Sequence, residues 1–349
     1  MTRQPIDPPM TLISLVVPVH NETGSIEPFL ARARPVLDQV IDTLHGNVTY
    51  EILFVDDGST DETLDELLAA RLADPRVRIV SLSRNFGKDT ALAAGLEHSV
   101  GQAVIPIDVD LQDPPEVIPQ FVDKWLAGFD VVTGRRSDRS SDTWLKRATA
   151  GAFYKVFNTM ADRPIMADAG DFRLLSRAVV DVLRQFPERA RFMKGLFSWV
   201  GFKQTHVDYV RAEREAGVTK WRYWKLWNFA IDGITTSSTV PLRIWSYLGA
   251  GAAVLAFIYA AVLVARTIVY GRDVPGYASI MVAVLFLGGL NLLSLGIIGE
   301  YLGRVYTEVK GRPLYIVRET FGVEDPAHPR PAARAPEPIH HERPRLRVM

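Results

Sequence analysis

VIPIDVDLQDPPEVIPQF, residues 104–121, decides how the chain is read. An apolar run, Val104 to Ile107, rises into Asp108, Asp110 and Asp113. Pro114 and Pro115 follow, and then an apolar-periodic segment. Apolar residues at successive rather than alternate positions mark a strand covered on both faces. The prolines and the periodic segment mark a helix start. Strand then helix is the unit of an α/β sheet. Asp113, just before the prolines, has the position of a helix cap. Capping needs one acid, so Asp108 and Asp110 call for something positive. Asp108, Asp110 and Gln112 alternate just past the strand. They offer oxygen donors suited to a hard divalent cation, Mg²⁺ or Mn²⁺, with positions left for phosphate oxygens.

The same unit repeats on the N-terminal side. TLISLVVPV, YEILFVDD and VRIVSLS read as strands, and DVVTGRR as a further one after residue 129. IEPFLARARPVLDQVIDTL, TDETLDELLAARLA, DTALAAGLEHSV and PEVIPQFVDKWLAG read as helices between them. The order predicts a mostly parallel sheet covered by helices, with ligands beyond the carboxyl ends of its strands. The polar clusters fall there: HNE, DDGSTD, SRNFGKD, DVDLQD and GRR. Each has an ordinary alternative. DDGSTD also reads as an Asp-Gly turn, and Glu22 in PVHNE as the cap of a turn.

Composition narrows the function. The 349 residues carry 40 Lys plus Arg and 40 Asp plus Glu, so the net charge is zero. Binding to nucleic acid, which draws on a basic excess, is not expected. The absence of cysteine excludes disulfides, thiolate nucleophiles and cysteine-ligated zinc.

Two stretches lack any charge: 22 residues between Arg243 and Arg266, and 26 between Asp273 and Glu300. Each is long enough for a hydrocarbon core about 30 Å thick. The short connector predicts a transmembrane hairpin with both ends on one side. Arg243, Arg304, Lys310 and Arg312 put that side in the cytoplasm, against the counterweight of Arg266 and Arg272. The N-terminal stretch has no signal-peptide pattern, so the region before the hairpin is expected to be cytoplasmic. Aromatic residues mixed with cations in 141–160 and 219–231 fit helices lying in a membrane interface, or core-facing helices with a basic face. The Pro- and Arg-rich tail is expected to be disordered. The expected division is 11–218, a catalytic domain; 219–241, an amphipathic juxtamembrane segment; 242–266 and 276–303, two spans; 304–323, a post-membrane segment; and 324–349, the tail.

Arg135 and Arg136, Lys146 and Arg147, and Arg211, Arg214 and Lys220 form three basic clusters. Any one of them could be a solvated surface. Beside acids at a membrane surface they suit phosphate.

Taken in order, LVVPVHNE, FVDDGSTD, SLSRNFGKDTALAAGL, DVDLQDPPE, AGDFRLLSR, RAEREAGVTKW and IIGEYLGRVYTEVKGRPLYIV resemble glycosyltransferase family 2. More narrowly they resemble bacterial polyprenyl-phosphate sugar transferases with two C-terminal spans, relatives of dolichyl-phosphate mannose synthase. The resemblance runs from Leu12 to Val317. It implies a GT-A, Rossmann-like fold followed by interfacial helices and the hairpin. It also implies inverting transfer of a hexose from a nucleotide-diphosphate sugar to polyprenyl phosphate. Glucose from UDP-glucose is the first expectation, with GDP-mannose, UDP-N-acetylhexosamine and arabinose donors as alternatives. Carried over, Pro18, His20, Glu22, Asp56 and Asp57 line a nucleoside pocket, with Val109 also at the donor. Asp108, Asp110 and Gln112 hold the metal and diphosphate. Arg136 lies near the sugar and the acceptor phosphate, Lys146 or Arg147 holds the lipid phosphate, and Arg214 and Lys220 clasp the donor diphosphate. Asp171 receives no role. A homo-oligomer, with tetramers among relatives, is implied too. Rival readings are a processive polysaccharide synthase, a nucleotidyltransferase and a non-catalytic membrane scaffold.

Overall fold

The computed structural model describes residues 10–44, 48–136, 169–186, 188, 193–210, 240–271 and 276–323. The proposed interfacial segments and the tail, with Lys146, Arg147, Arg214 and Lys220, lie outside these residues.

The N-terminal half alternates as its pattern predicts. β1 (Met10–Val19), α1 (Ile26–Thr43), β2 (Val48–Asp56), α2 (Thr63–Ala73), β3 (Val77–Leu82), α3 (Lys88–His98) and β4 (Ala103–Pro106) follow one another. A 3-10 turn (Pro115–Val117), α4 (Ile118–Leu126) and β5 (Val131–Arg136) come next. The unbroken apolar runs have a direct cause. In β1, Leu15 and Val17 enter one apolar cluster and Val16 enters another on the opposite face. In β2, Ile52 and Phe54 are divided from Leu53 and Val55 in the same way. Gly95 lets α3 lie close on this sheet, because a Cβ there would collide with Cγ1 of Val16.

The sheet has eight strands in the order β7-β5-β6-β4-β1-β2-β3-β8; six run one way, as a mostly parallel sheet requires, and β6 and β8 run against them. β6 (Ala169–Ser176) runs antiparallel between β4 and β5. It leads into α5 (Arg177–Arg184) and α6 (Met193–Trp199), and β7 (Gln204–Tyr209) pairs parallel with β5. β6 escaped the pattern because charge interrupts it. Phe172 and Leu174 face one core and Leu175 the other, but Arg173 is buried among them. Its guanidinium stacks on Phe197 at 4.0 Å and donates to the Gly170 carbonyl at 2.6 Å. Being antiparallel, β6 begins at the edge where its neighbours end. Gly170 and Asp171 therefore join the ligand edge.

α7 (Val240–Tyr270) and α8 (Tyr277–Val309) outrun the predicted spans. Tyr247–Tyr270 and Ser279–Val309 are apolar and long enough to cross a membrane, and neither is buried among the described residues. After α8 the chain returns to the sheet. β8 (Val317–Phe321) pairs antiparallel with the β3 edge, and the Ser83 amide donates to the Ile316 carbonyl at 2.9 Å. Val323 is buried in the second cluster. The segment 304–323 thus ends inside the fold of the first domain.

Candidate active site

The β4 exit alternates inward and outward. Val109 and Leu111 are buried in the core, while Asp108 and Asp110 are partly exposed at the sheet edge. Leu111 takes φ 57°, a left-handed conformation costing of order 1–3 kcal/mol for a residue with a Cβ. Val109, expected at the donor, turns its side chain into the core instead. The Asp110 carboxylate accepts from the Gln112 amide at 3.2 Å.

Asp113 does not act as the expected helix cap. It is 3% exposed, and the residue at the cap position of the 3-10 turn is Pro114. Its Oδ1 accepts from the Tyr209 hydroxyl at 2.5 Å and lies 4.0 Å from Nη2 of Arg136. Arg136 ends β5 in register with Tyr209 of β7. It faces Gly170, where a Cβ would come within 3.4 Å of its Nη2. Burial pulls the Arg136 guanidinium down, but Tyr209 and Asp113 outweigh it and hold it above its ordinary value. Its neighbour Arg135 is committed to Asp208, at 2.6 and 2.8 Å.

Lys88, the first residue of α3, places Nζ 2.7 Å from both oxygens of Asp108 and 3.0 Å from Asp171. Desolvation pulls the Lys88 ammonium down, but the two carboxylates outweigh it and hold it above the lysine range. Desolvation likewise raises the Asp108 carboxyl, against the pull of Lys88. The sequence reading gave neither Lys88 nor Asp171 nor Tyr209 a role. The one positional signal was SRNFGKD just past a strand, while AGDFR entered only through the family resemblance.

Of the acids of FVDDGSTD, Asp56 and Asp57 face inward and Asp61 is exposed. Asp56 is fully buried, accepting from the Ser59 amide and the Ser81 hydroxyl, each at 2.9 Å. Asp57 accepts from the Phe86 and Gly87 amides at 2.7 and 2.9 Å and so fixes the start of α3. Between them and the next loop lies Gly58 at φ 65°, where a Cβ would strike the Arg84 backbone. Only the Ser59 bond belongs to a local turn; the other three tie this loop to β3 and to the start of α3. Pro18, near the end of β1, and His20 and Glu22, on the loop that follows, are partly exposed. That loop is clasped to the next: Asn21 Oδ1 accepts from the Thr60 amide at 2.8 Å, and the Glu22 amide donates to Thr63 at 2.9 Å. Glu22 also accepts from Ser25 at 3.2 Å, the turn-capping role that was its alternative.

A hard divalent cation fits this donor set. Asp108, Asp110 and Gln112 are oxygen donors, and Asp108 already places both oxygens around an ammonium. Among the described residues no group of three or more His, Cys, Asp or Glu forms a metal cage. A cation that keeps water and phosphate ligands needs none.

Comparison with known proteins gives the family. Residues 14–184 match the model of glycosyl transferase family 2, and residues 240–305 match the GtrB C-terminal hairpin. A glycosyltransferase of Synechocystis is 53% identical over 89% of this chain and 96% of its own. The SfII prophage-derived bactoprenol glucosyl transferase of Shigella flexneri is 50% identical over 88% of this chain and 98% of its own. Among solved structures, the mannosyltransferase PcManGT of Pyrobaculum calidifontis, in complex with GDP-Man and Mn²⁺, is 19% identical. It aligns over 88% of this chain and 89% of its own with a TM-score of 0.43. With its mixed GT-A sheet, its acid-and-cation edge and its C-terminal hairpin, the chain is a glycosyltransferase of family 2.

Proposed function

We propose that the chain transfers glucose from UDP-glucose to polyprenyl phosphate, with inversion, at the cytoplasmic face of the inner membrane. Identity of 50% with a bactoprenol glucosyl transferase over nearly the whole of both chains carries this reading. The two long apolar helices support a membrane hairpin. The return of β8 to the sheet supports a hairpin that leaves and re-enters on the side of the catalytic domain.

The chemistry asks for cations rather than a general base. The acceptor phosphate is already ionised at neutral pH. One of its oxygens bonds to the anomeric carbon from the face opposite the leaving group. The bond from that carbon to the diphosphate oxygen breaks, and UDP leaves with the electron pair. The protein must hold two anions together and stabilise charge on the departing one. Arg136, whose position at the β5 end beside Asp113 supports the reading, would meet the acceptor phosphate and sugar. Lys146 or Arg147 for the lipid phosphate, and Arg214 and Lys220 for the donor diphosphate, complete the set by resemblance. Asp108, Asp110 and Gln112 would hold Mg²⁺ or Mn²⁺, which when bound supplies positive charge to the leaving diphosphate. Pro18, His20 and Glu22 would meet the nucleoside, with Asp56 and Asp57 shaping the loops beneath it.

The test is a donor panel. Membranes containing the protein are incubated with Mg²⁺ or Mn²⁺, undecaprenyl phosphate and each radiolabelled UDP- or GDP-sugar, then extracted with organic solvent. Metal-dependent label in the lipid phase from UDP-glucose is expected. Label from another donor alone would reassign the sugar, and no label from any donor would refute transfer to this acceptor.

A further inference from the structure

Lys88 stands where a cation is wanted. Its ammonium is equidistant, at 2.7 Å, from both oxygens of Asp108 and lies 3.0 Å from Asp171. The three residues come from three elements: the start of α3, the exit of β4 and the start of β6. Only the assembled sheet edge brings them together. Two carboxylates sharing a partly buried site repel each other unless a positive charge lies between them.

The backbone beneath Lys88 is fixed by Asp57, and its ammonium is held by the two carboxylates. Asp57 holds the amides of Phe86 and Gly87 immediately before it. The Lys88 side chain keeps 46% of its surface exposed, so its four-carbon stem has room to swing. A divalent ion coordinates carboxylate oxygens at about 2.0–2.2 Å. An ammonium that engages both oxygens of Asp108 leaves neither fully available for that.

We propose that Lys88 is a resident counter-ion of the Asp108–Asp171 pair, which it holds together in the metal-free enzyme and which divalent metal binding takes over by displacing it. This rests on the reading of Asp108 and Asp110 as metal ligands. Lys88 is then a positioning residue. It keeps the acidic edge assembled before the donor arrives, and it sets a threshold that metal must overcome.

The experiment measures metal binding directly, without turnover. Full-length protein in detergent, free of nucleotide, is titrated with Mn²⁺ while free Mn²⁺ is read by electron paramagnetic resonance. Lys88→Met keeps the length of the stem and removes the charge. It is expected to bind Mn²⁺ about fivefold more tightly than wild type, the scale of a partly exposed ion pair no longer to be broken. Lys88→Arg, which keeps the charge, is expected to stay within about twofold of wild type. Arg84→Met removes a charge from the same loop, where the guanidinium lies 4.0 Å over Phe86, and is expected to leave affinity unchanged. Wild type that binds Mn²⁺ with Lys88→Met binding no more tightly overturns the inference alone. An Arg84→Met gain equal to that of Lys88→Met also overturns it, because net charge would then explain both. If no form binds Mn²⁺, even with UDP present, the metal reading of Asp108 and Asp110 falls and the inference with it.

Discussion

The Tyr209 hydroxyl donates to Oδ1 of Asp113 at 2.5 Å and thereby fastens the end of β7 to the loop that carries Asp108 and Asp110. Burial pushes the Tyr209 phenol far above its ordinary value, and the Asp113 charge adds to this, so Tyr209 remains a donor throughout the working pH range. Arg136 lies beside both. Tyr209→Phe leaves a buried carboxylate short of a donor. It is expected to cost about 1–3 kcal/mol of stability in urea unfolding and to lower the rate of transfer. A variant as stable and active as wild type would remove Tyr209 from the site's support.

Asp110 is partly exposed and outside the core, so its loss should be felt in catalysis rather than folding. Asp110→Ala is expected to reduce metal-dependent transfer by a factor of about 100 or more, with an unchanged melting temperature. Full transfer activity in this variant would show that the site lies elsewhere.

Asp57 makes the opposite forecast. Its carboxylate takes two amide donors at the start of α3, and bonds of this charged kind contribute about 1.5–3 kcal/mol each. Asp57→Ala is expected to lower stability by about 3–6 kcal/mol and to weaken UDP binding by calorimetry. Weakened UDP binding at wild-type stability would make Asp57 a direct ligand rather than the support of a loop.

The return strand ties the hairpin to the donor side. Nη2 of Arg318 donates to the Ser81 hydroxyl at 3.0 Å, and that hydroxyl donates to Asp56 at 2.9 Å. Ending the chain after Arg312 strips the β3 edge and empties the seat of Val323. The truncated protein is expected to lose about 1.5–3 kcal/mol and to aggregate through the bared edge. Light scattering and thermal unfolding in detergent check this, and unchanged behaviour would make β8 dispensable.

Asp61 supplies a pH dependence. Slight desolvation raises its carboxyl, but hydrogen bonds from Thr63 and Thr23 outweigh this and hold its pKa at about 2. A folded-state pKa below the unfolded value of about 3.9 stabilises the fold above that value. The contribution disappears as pH falls through about 2. Acid unfolding of Asp61→Asn is expected to lack this component, and an identical acid profile in variant and wild type would refute it.

Much of this protein was written in local sequence. The unbroken runs in TLISLVVPV and YEILFVDD reported strands covered on both faces, because alternate residues had to enter two cores. The positions of DVDLQD just past one strand and of GRR at the end of another put Asp108, Asp110 and Arg136 at one edge, because parallel strands end together. The two uncharged stretches announced two helices long and apolar enough to cross a membrane. Tertiary structure alone decided the rest. β6 carries a buried arginine within its run and runs against its neighbours, and no periodicity reports either its place or its direction. Asp171 therefore reaches the edge from the beginning of a strand. Lys88, Asp108 and Asp171 are far apart in the chain, and their meeting depends on the order of strands in the sheet. The commitment of Asp56, Asp57 and Asp113 to buried donors was equally hidden. An acid bound to a ligand and an acid bound to its own protein have the same letter, and only the fold supplies the partner.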